Sequence, residues 1–538
     1  MLKWLSCVLL TAASVLPPAA QADGTYRSRP DLSPPHLNIT LPSKGQTAPG
    51  YLFVAPYSGS PDLTHHYSVQ KAPYIITDTG DLVWSGFGYV FQWAGNFQTT
   101  SWKGKDVLFA WEGALNALRG HGHGHHTFLD QHYQNVKEVR GGNHALPDLH
   151  EFEVVNGKSA LHEIYQPLQL DLSPFGGNDQ QTWIVDARFQ EVDIDTGNVL
   201  FEWRSLDHVS PNDAILSLVS GRAGSGYDSA SAWDYLHINS VTKGKDGHFL
   251  VSARHTSTIY KINGIDGSII WRLGGKSSNF ELGPNVDFGF QHHARYLTED
   301  PGSEEVISLF DNSAHSSDLL LSSLNNEALS RGIYVKLDHV NSKATLQREF
   351  LPPNEPLLAR SQGSIQTLTD GNVLVNWGSE GQITEYTADG TAIFHAQFVS
   401  NKVDDILQNY RAFRFSWSGY SPEPIAVFAE KVADDEIDVY VSWNGDTQAA
   451  SWRFAWVEDN DGNRVKKSKD IVKTGFETVY RLPTSATTRG IHVEALGEQG
   501  QVLSVSERIS AVPAYWLKKE QSASRTGEKD WYDSVDEL

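Results

Sequence analysis

The sequence predicts an all-β chain: a six-bladed β-propeller followed by a small immunoglobulin-like or fibronectin-like β-sandwich. Three observations carry this reading. Helical periodicity is nearly absent. A turn-and-strand unit recurs six times, at a mean spacing of roughly 60 residues, longer than the ~40–50 of common propeller repeats. After Tyr420 the composition shifts to short alternating strands, as a sandwich requires. A pair of sandwiches or a parallel β-helix are the alternatives. Sandwiches rarely repeat one signature so often, and a β-helix needs a much shorter period.

The elements follow in order. Met1 to Ala22 reads as a secretory signal: Lys3, then an apolar core from Cys7 to Leu16, then Ala20-Gln21-Ala22. Its apolar stretch is too short to span a bilayer. Residues 23–49 form an N-terminal segment containing one glycosylation sequon at Asn38 (Asn38-Ile39-Thr40). The propeller spans residues 50–420. Its first recurring unit is an Asp-Gly type turn followed by a β run: Asp78-Thr79-Gly80 to Trp84, Asp195-Thr196-Gly197 to Trp203, Asp266-Gly267 to Trp271, Asp389-Gly390 to Phe394, with weaker copies from Asp130 and Asn341. Glycine supplies the positive φ such hairpin turns need. Its second unit is a short apolar strand, beginning at Tyr51, Val107, Ala160, Phe249, Val306 and Val373. Ser421-Pro422-Glu423-Pro424 is a linker, residues 425–513 the sandwich, and residues 514–538 an acidic flexible tail. The chain ends Val535-Asp536-Glu537-Leu538, close to an ER-retrieval tail but with the wrong first residue. Secretion is expected, with the ER lumen as the alternative.

Composition narrows the chemistry. The 538 residues carry a formal charge of −22, which argues against nucleic-acid and anionic-membrane partners. The sole Cys falls in the signal and the sole Met is Met1. Catalysis must therefore run on His, carboxylate, hydroxyl, Lys or Arg.

Histidine is the informative residue. His150, His237 and His292 each stand just ahead of the second unit in successive blades, and Ser364 takes that place in another. Equivalent positions in a propeller are related by rotation about its channel, so the three imidazoles are expected to converge at the channel mouth. Arg254 ends an apolar β run, where a guanidinium needs an anion, an aqueous channel or a neighbouring carboxylate. With Asn239 these groups make a polar anion site. A second cluster, His121-Gly122-His123-Gly124-His125-His126, reads as a flexible loop beside the substrate mouth rather than a metal site. No metal and no cofactor are expected.

The stretches Gly124-His125-His126-Thr127-Phe128-Leu129-Asp130, Asp234-Tyr235-Leu236-His237-Ile238-Asn239-Ser240-Val241, Ser252-Ala253-Arg254-His255-Thr256-Ser257 and Phe290-Gln291-His292 resemble the arylsulfotransferase family, in its secreted fungal branch, over roughly residues 50–420. Bacterial members are six-bladed propellers that move a sulfuryl group between phenols without the nucleotide sulfate donor, through a sulfated histidine. The resemblance implies His292 as nucleophile, His237, Asn239 and Arg254 as the sulfate-binding group, and His150 as acid/base for the phenol. His125 competes with His150, and His293 with His292. Ser364 joins the substrate-binding set. The implied partners are a phenolic substrate and a sulfate-ester donor, and the implied setting is secondary metabolism. Two other functions fit the same pocket: a cyclase or pericyclase acting on a natural product, and a non-catalytic binding propeller.

Overall fold

A computed structural model describes residues 25–512, apart from 59–69, 91–92, 117–118, 301–303, 314–328, 400–406, 434–435, 459–464 and 484–487. The signal and the tail read from the sequence lie outside the described residues. The chain divides into two compact units.

The larger unit, residues 34–422 with 445–447, holds six sheets of four or five strands, antiparallel but for the short parallel pair of Glu281–Leu282 with Lys343–Ala344, and one two-stranded sheet. The third sheet shows the plan: Phe152–Val155, Ser159–Gln169, Trp183–Asp193 and Val199–Arg204 pair in sequence order. The fourth repeats it with Ile238–Lys243, Phe249–Ala253, Thr258–Ile262 and Ile269–Gly274. Every copy of the second sequence unit lies in the second strand of a blade. Every Asp-Gly type turn joins the third strand to the fourth. The aromatic ending that unit is buried: Trp84, Trp203, Trp271 and Phe394 are 0–5% exposed. Alternation with period two explains this, because one face of each outer strand must pack against the next blade.

The first strands of neighbouring blades pack on one another around the axis. The first blade takes its innermost strand from the far end of the unit: Phe413–Phe415 pairs antiparallel with Tyr51–Phe53. That strand also bonds the sixth blade, where the Arg414 N–H donates to Gln366 Oε1 at 2.8 Å. The start and end of the six-fold repeat are thus joined by β pairing. Part of the N-terminal segment belongs here too, since His36–Leu41 adds an edge strand to the sixth blade. Asn38 of the sequon is exposed on that strand.

The smaller unit has one antiparallel sheet of Ala426–Ala433, Glu436–Ser442 and Glu477–Pro483. A second sheet holds Val465–Lys467, Ser451–Glu458, Thr488–Leu496 and Val502–Val505. Val439, Val441 and Leu482 of the first sheet share one core with Trp452, Phe454, Ile491 and Val493 of the second. The sequence reading did not include the strands at Val465, Ile471 and Val502, which are two to four residues long and, apart from Ile471, poorly buried.

Candidate functional site

Three first strands deliver the histidines. His150 precedes Phe152–Val155, His237 precedes Ile238–Lys243, and His292 opens His292–Asp300. His237 has φ +54°, a left-handed value unusual for a residue with a Cβ. Its N–H donates to Asp234 Oδ1 at 3.1 Å, which helps hold that conformation. The His150 and His237 rings lie 4.9 Å apart, nearly perpendicular. His237 in turn lies 4.5 Å from His255. Tyr410 stands 5.3 Å from His150 and 6.5 Å from His292, so one aromatic ring bridges the two.

Each imidazole has its tautomer set by a neighbour. His150 Nδ1 bonds the Asp148 carboxylate, and His237 Nδ1 bonds Asp234 Oδ2 at 2.5 Å. His255 Nδ1 donates to the Asp234 carbonyl at 2.6 Å. Its Nε2 therefore accepts from Arg254 Nη1 at 2.8 Å. His292 Nδ1 donates to Asn312 Oδ1 at 2.7 Å. The Asn312 amide cannot be turned round, because its Nδ2 donates to the carbonyls of Ala359 and Gln362 at 2.8 and 3.0 Å. His292 Nε2 therefore carries the lone pair, and the Gln362 N–H points at it from 3.2 Å.

Burial governs the charges. His237 and His292 are held well below the ordinary imidazole range, first by desolvation and then by neighbours that include Arg254 and His150. Both are neutral at physiological pH. Arg254 is pushed down to about 10 by burial. Among the described residues it forms no ion pair. Its fork spends one donor on His255 and another on the Arg360 carbonyl, and its Nε is buried without a partner. The Tyr410 hydroxyl is likewise buried and unpartnered. Burial would raise Asp148, but His150 and the Gly122 N–H hold it below the usual carboxylate range.

The sequence-derived residues separate into two groups. His150, His237, His292 and Arg254 come together. Asn239 stands beside them at a bulge, its Nδ2 donating to the Gln291 carbonyl at 2.7 Å and its Oδ1 buried without a partner. Three expectations are corrected. His293 turns the other way: its Nδ1 accepts the Ile365 N–H at 3.3 Å and its ring faces Phe413, so it ties adjacent blades. The Ser364 hydroxyl is spent on the Ala412 backbone at the blade junction. The His-Gly run is no loop but the strand His121–Leu129, whose register leaves His125 half-buried opposite Glu112. His121, at the strand's start, stacks on Tyr165 at 4.8 Å and is the member that reaches the cluster.

The sequence reading did not single out Asp148, Asp234, His255, Asn312, Tyr165 or Tyr410. The recurrence of Asp two or three residues before His was the available signal for the two carboxylates. Beside the cluster lies a buried ion network. Glu151 accepts from Arg411 Nη1 at 3.0 Å and from Arg295 Nη2 at 2.6 Å, joining three blades. Two groups of side chains offer metal-ligand atoms within 4.8 Å of one another: Asp234, His237 and His255, and Asp148, His150 and Glu163.

The family model for arylsulfotransferase (ASST) matches residues 98–399, more than half of the 538-residue chain. The chain belongs to the arylsulfotransferase family. The matched span holds all four clustered groups, His150, His237, Arg254 and His292, and gives this family member an arylsulfotransferase-like function. Arg411, the closing strand and the smaller unit fall outside the match. No curated protein matches the arylsulfotransferase-family chain. Among solved structures, a protein of unknown function from Bacteroides caccae is 11% identical over 68% of this chain and 98% of its own, with a TM-score of 0.37. The GH43 protein BlXynB from Bacillus licheniformis is 9% identical over 78% and 89%, at 0.29. A virginiamycin B lyase from Staphylococcus aureus is 13% identical over 74% and 94%, at 0.27. Similarities this slight carry no argument about the fold or chemistry of this arylsulfotransferase-family protein.

Proposed function

We propose that the protein transfers a sulfuryl group from an aryl sulfate ester to a phenol, by way of a sulfated His292. The observation that carries this is Arg254: a buried guanidinium with no carboxylate partner and a free Nε, beside three histidines. A buried cation in that state is set up for an anion.

In the first half-reaction the His292 Nε2 lone pair attacks sulfur. The N–S bond forms as the bond from sulfur to the aryl oxygen breaks, and the phenolate leaves with the Nε2 proton of His150, which enters the step as an imidazolium paired at Nδ1 with Asp148. Arg254, the free Asn239 Nδ2 hydrogen and the Tyr410 hydroxyl are the donors nearest to where charge builds on the sulfuryl oxygens, and neutral His237, its Nδ1 held by Asp234, lines the same site. Such preorganised donors act most strongly in a dry site. The Asn312 carbonyl oxygen stabilises the Nδ1–H as positive charge develops on the ring. In the second half-reaction the acceptor phenol gives its proton to His150 and attacks sulfur, and the N–S bond breaks. Neutral His292 is a competent nucleophile in the first half-reaction and the leaving group in the second. Residue for residue, this accounts for a transfer that needs no nucleotide sulfate donor.

The test is turnover of 4-nitrophenyl sulfate with a phenol acceptor and no nucleotide. Sustained nitrophenolate release that requires the acceptor and His292 supports the reading. No release over a broad acceptor panel refutes it. Secretion is part of the same proposal, on the strength of the apolar N-terminus and of the exposed Asn38. A chain recovered from the medium of a eukaryotic host, starting after Ala22 and glycosylated at Asn38, is its check.

A further inference from the structure

We infer that Asp148, His150 and Glu163 form a binding site for a divalent first-row transition-metal ion. The three residues come from two adjoining stretches of the third blade. Asp148 and His150 lie just before its first strand, and Glu163 lies on its second. The Asp148 N–H donates to the Glu163 carbonyl at 2.8 Å, which fixes the spacing of the two backbones. One oxygen of each carboxylate and one ring nitrogen of His150 lie within 4.8 Å of one another, and all three residues are buried.

Glu163 is the independent pointer to a ligand. It is fully buried, and neither of its carboxylate oxygens has a hydrogen-bond partner. Ionised, it is an uncompensated charge, since the nearby guanidiniums of Arg295 and Arg411 are both committed to Glu151. Protonated, it still needs an acceptor for its O–H, and its second oxygen still has no donor. Either way the group is unsatisfied, and an ion between it and Asp148–His150 resolves both cases.

The second metal-competent group has no unpartnered carboxylate: Asp234 accepts the His237 N–H and Nδ1 on its two oxygens, and both ring nitrogens of His255 are engaged. In the first group the same bond joins Asp148 and His150, and a cation takes the place of the proton they share. Two carboxylate oxygens and one imidazole nitrogen suit Zn²⁺, Mn²⁺ or Fe²⁺ better than Ca²⁺ or Mg²⁺. Three protein ligands leave a fourth position open, as at catalytic zinc centres. The inference shares His150 with the proposed transfer but is tested apart from it, because Glu163 has no part in that reaction and metal content is read without turnover.

The test uses Zn²⁺ alone. The full chain is freed of metal with a chelator, equilibrated with Zn²⁺, passed through a desalting column and assayed for zinc per chain. About one zinc per chain is expected, retained in a His123→Ala/His125→Ala variant that disables the exposed end of the His-Gly strand. In Glu163→Gln at least a tenfold weaker affinity is expected. Zinc-free wild type overturns the inference, as does a Glu163→Gln variant that binds as wild type, or loss of zinc in the His123/His125 variant. Should Glu163→Gln fail to fold, the wild type loaded with Cu²⁺ decides. Coupling to a single imidazole nitrogen in its electron spin resonance spectrum supports the site, and coupling to two or more overturns it.

Discussion

His292 Nδ1 lies 2.7 Å from the side-chain oxygen of Asn312, an amide itself locked by two backbone carbonyls. The two residues are on different strands of the fifth blade, one at the start of the first and one just past the end of the second. This contact selects the tautomer that puts the lone pair on Nε2, which must give up the Gln362 N–H before it attacks. Asn312→Ala is expected to lower kcat on the order of 10²-fold with little change in KM, as loss of alignment does. A parallel fall in kcat and rise in KM, or no change, contradicts the positioning role.

Arg254→Lys keeps the charge but not the planar fork. Turnover is expected to fall on the order of 10²-fold or more, the scale of losing one oxyanion donor. Protection by inorganic sulfate against thermal unfolding should fall with it. A lysine variant that retains both sulfate protection and turnover contradicts the anion site.

Much of this was legible in the chain and some was not. The six blades showed because an Asp-Gly turn recurs wherever a third strand meets a fourth. The three histidines showed because they share one phase of that repeat. The closing pair of Phe413–Phe415 with Tyr51–Phe53 did not show, because its partners are far apart in sequence and the strand is three residues long. Nor did the choice between neighbours. His292 and His293 are distinguished by a positive φ at His293 (+55°), and His121 from His125 by strand register. Neither follows from residue type. The Glu151 network was invisible for a third reason: its ion pairs join residues from three blades, with no local pattern to mark them.

Arg411 is fully buried and bonds Glu151, Asn96 and the Asn239 carbonyl. Arg411→Ala should destabilise the propeller by about 3–5 kcal/mol, because it strips a partner from a buried carboxylate. Urea unfolding reads this directly, and a loss below about 1 kcal/mol contradicts it.

Acid should unfold the protein through its buried histidines. His162 is pushed down to about 4 by burial, whereas an unfolded chain's histidine titrates near 6.5. Above pH ~6.5 the ring is neutral in both states and costs nothing. Between about 6.5 and 4 the unfolded state takes up the proton first, so stability is lost as pH falls, by roughly 3 kcal/mol for this group alone. Melting temperature should be flat from pH 7 to 8 and drop below 6.5, less steeply in His162→Gln. A wild-type profile flat down to pH 4 contradicts the assignment.

The central claim is that His292 is the residue that carries the sulfuryl group. Its most direct measurement is peptide mass spectrometry of the protein quenched during turnover of 4-nitrophenyl sulfate, under conditions that preserve N–S bonds. The account predicts a sulfuryl adduct on the His292 peptide, formed with donor alone and discharged by added phenol. An adduct on His150, His237 or His293 instead, or full turnover by His292→Ala, would contradict it.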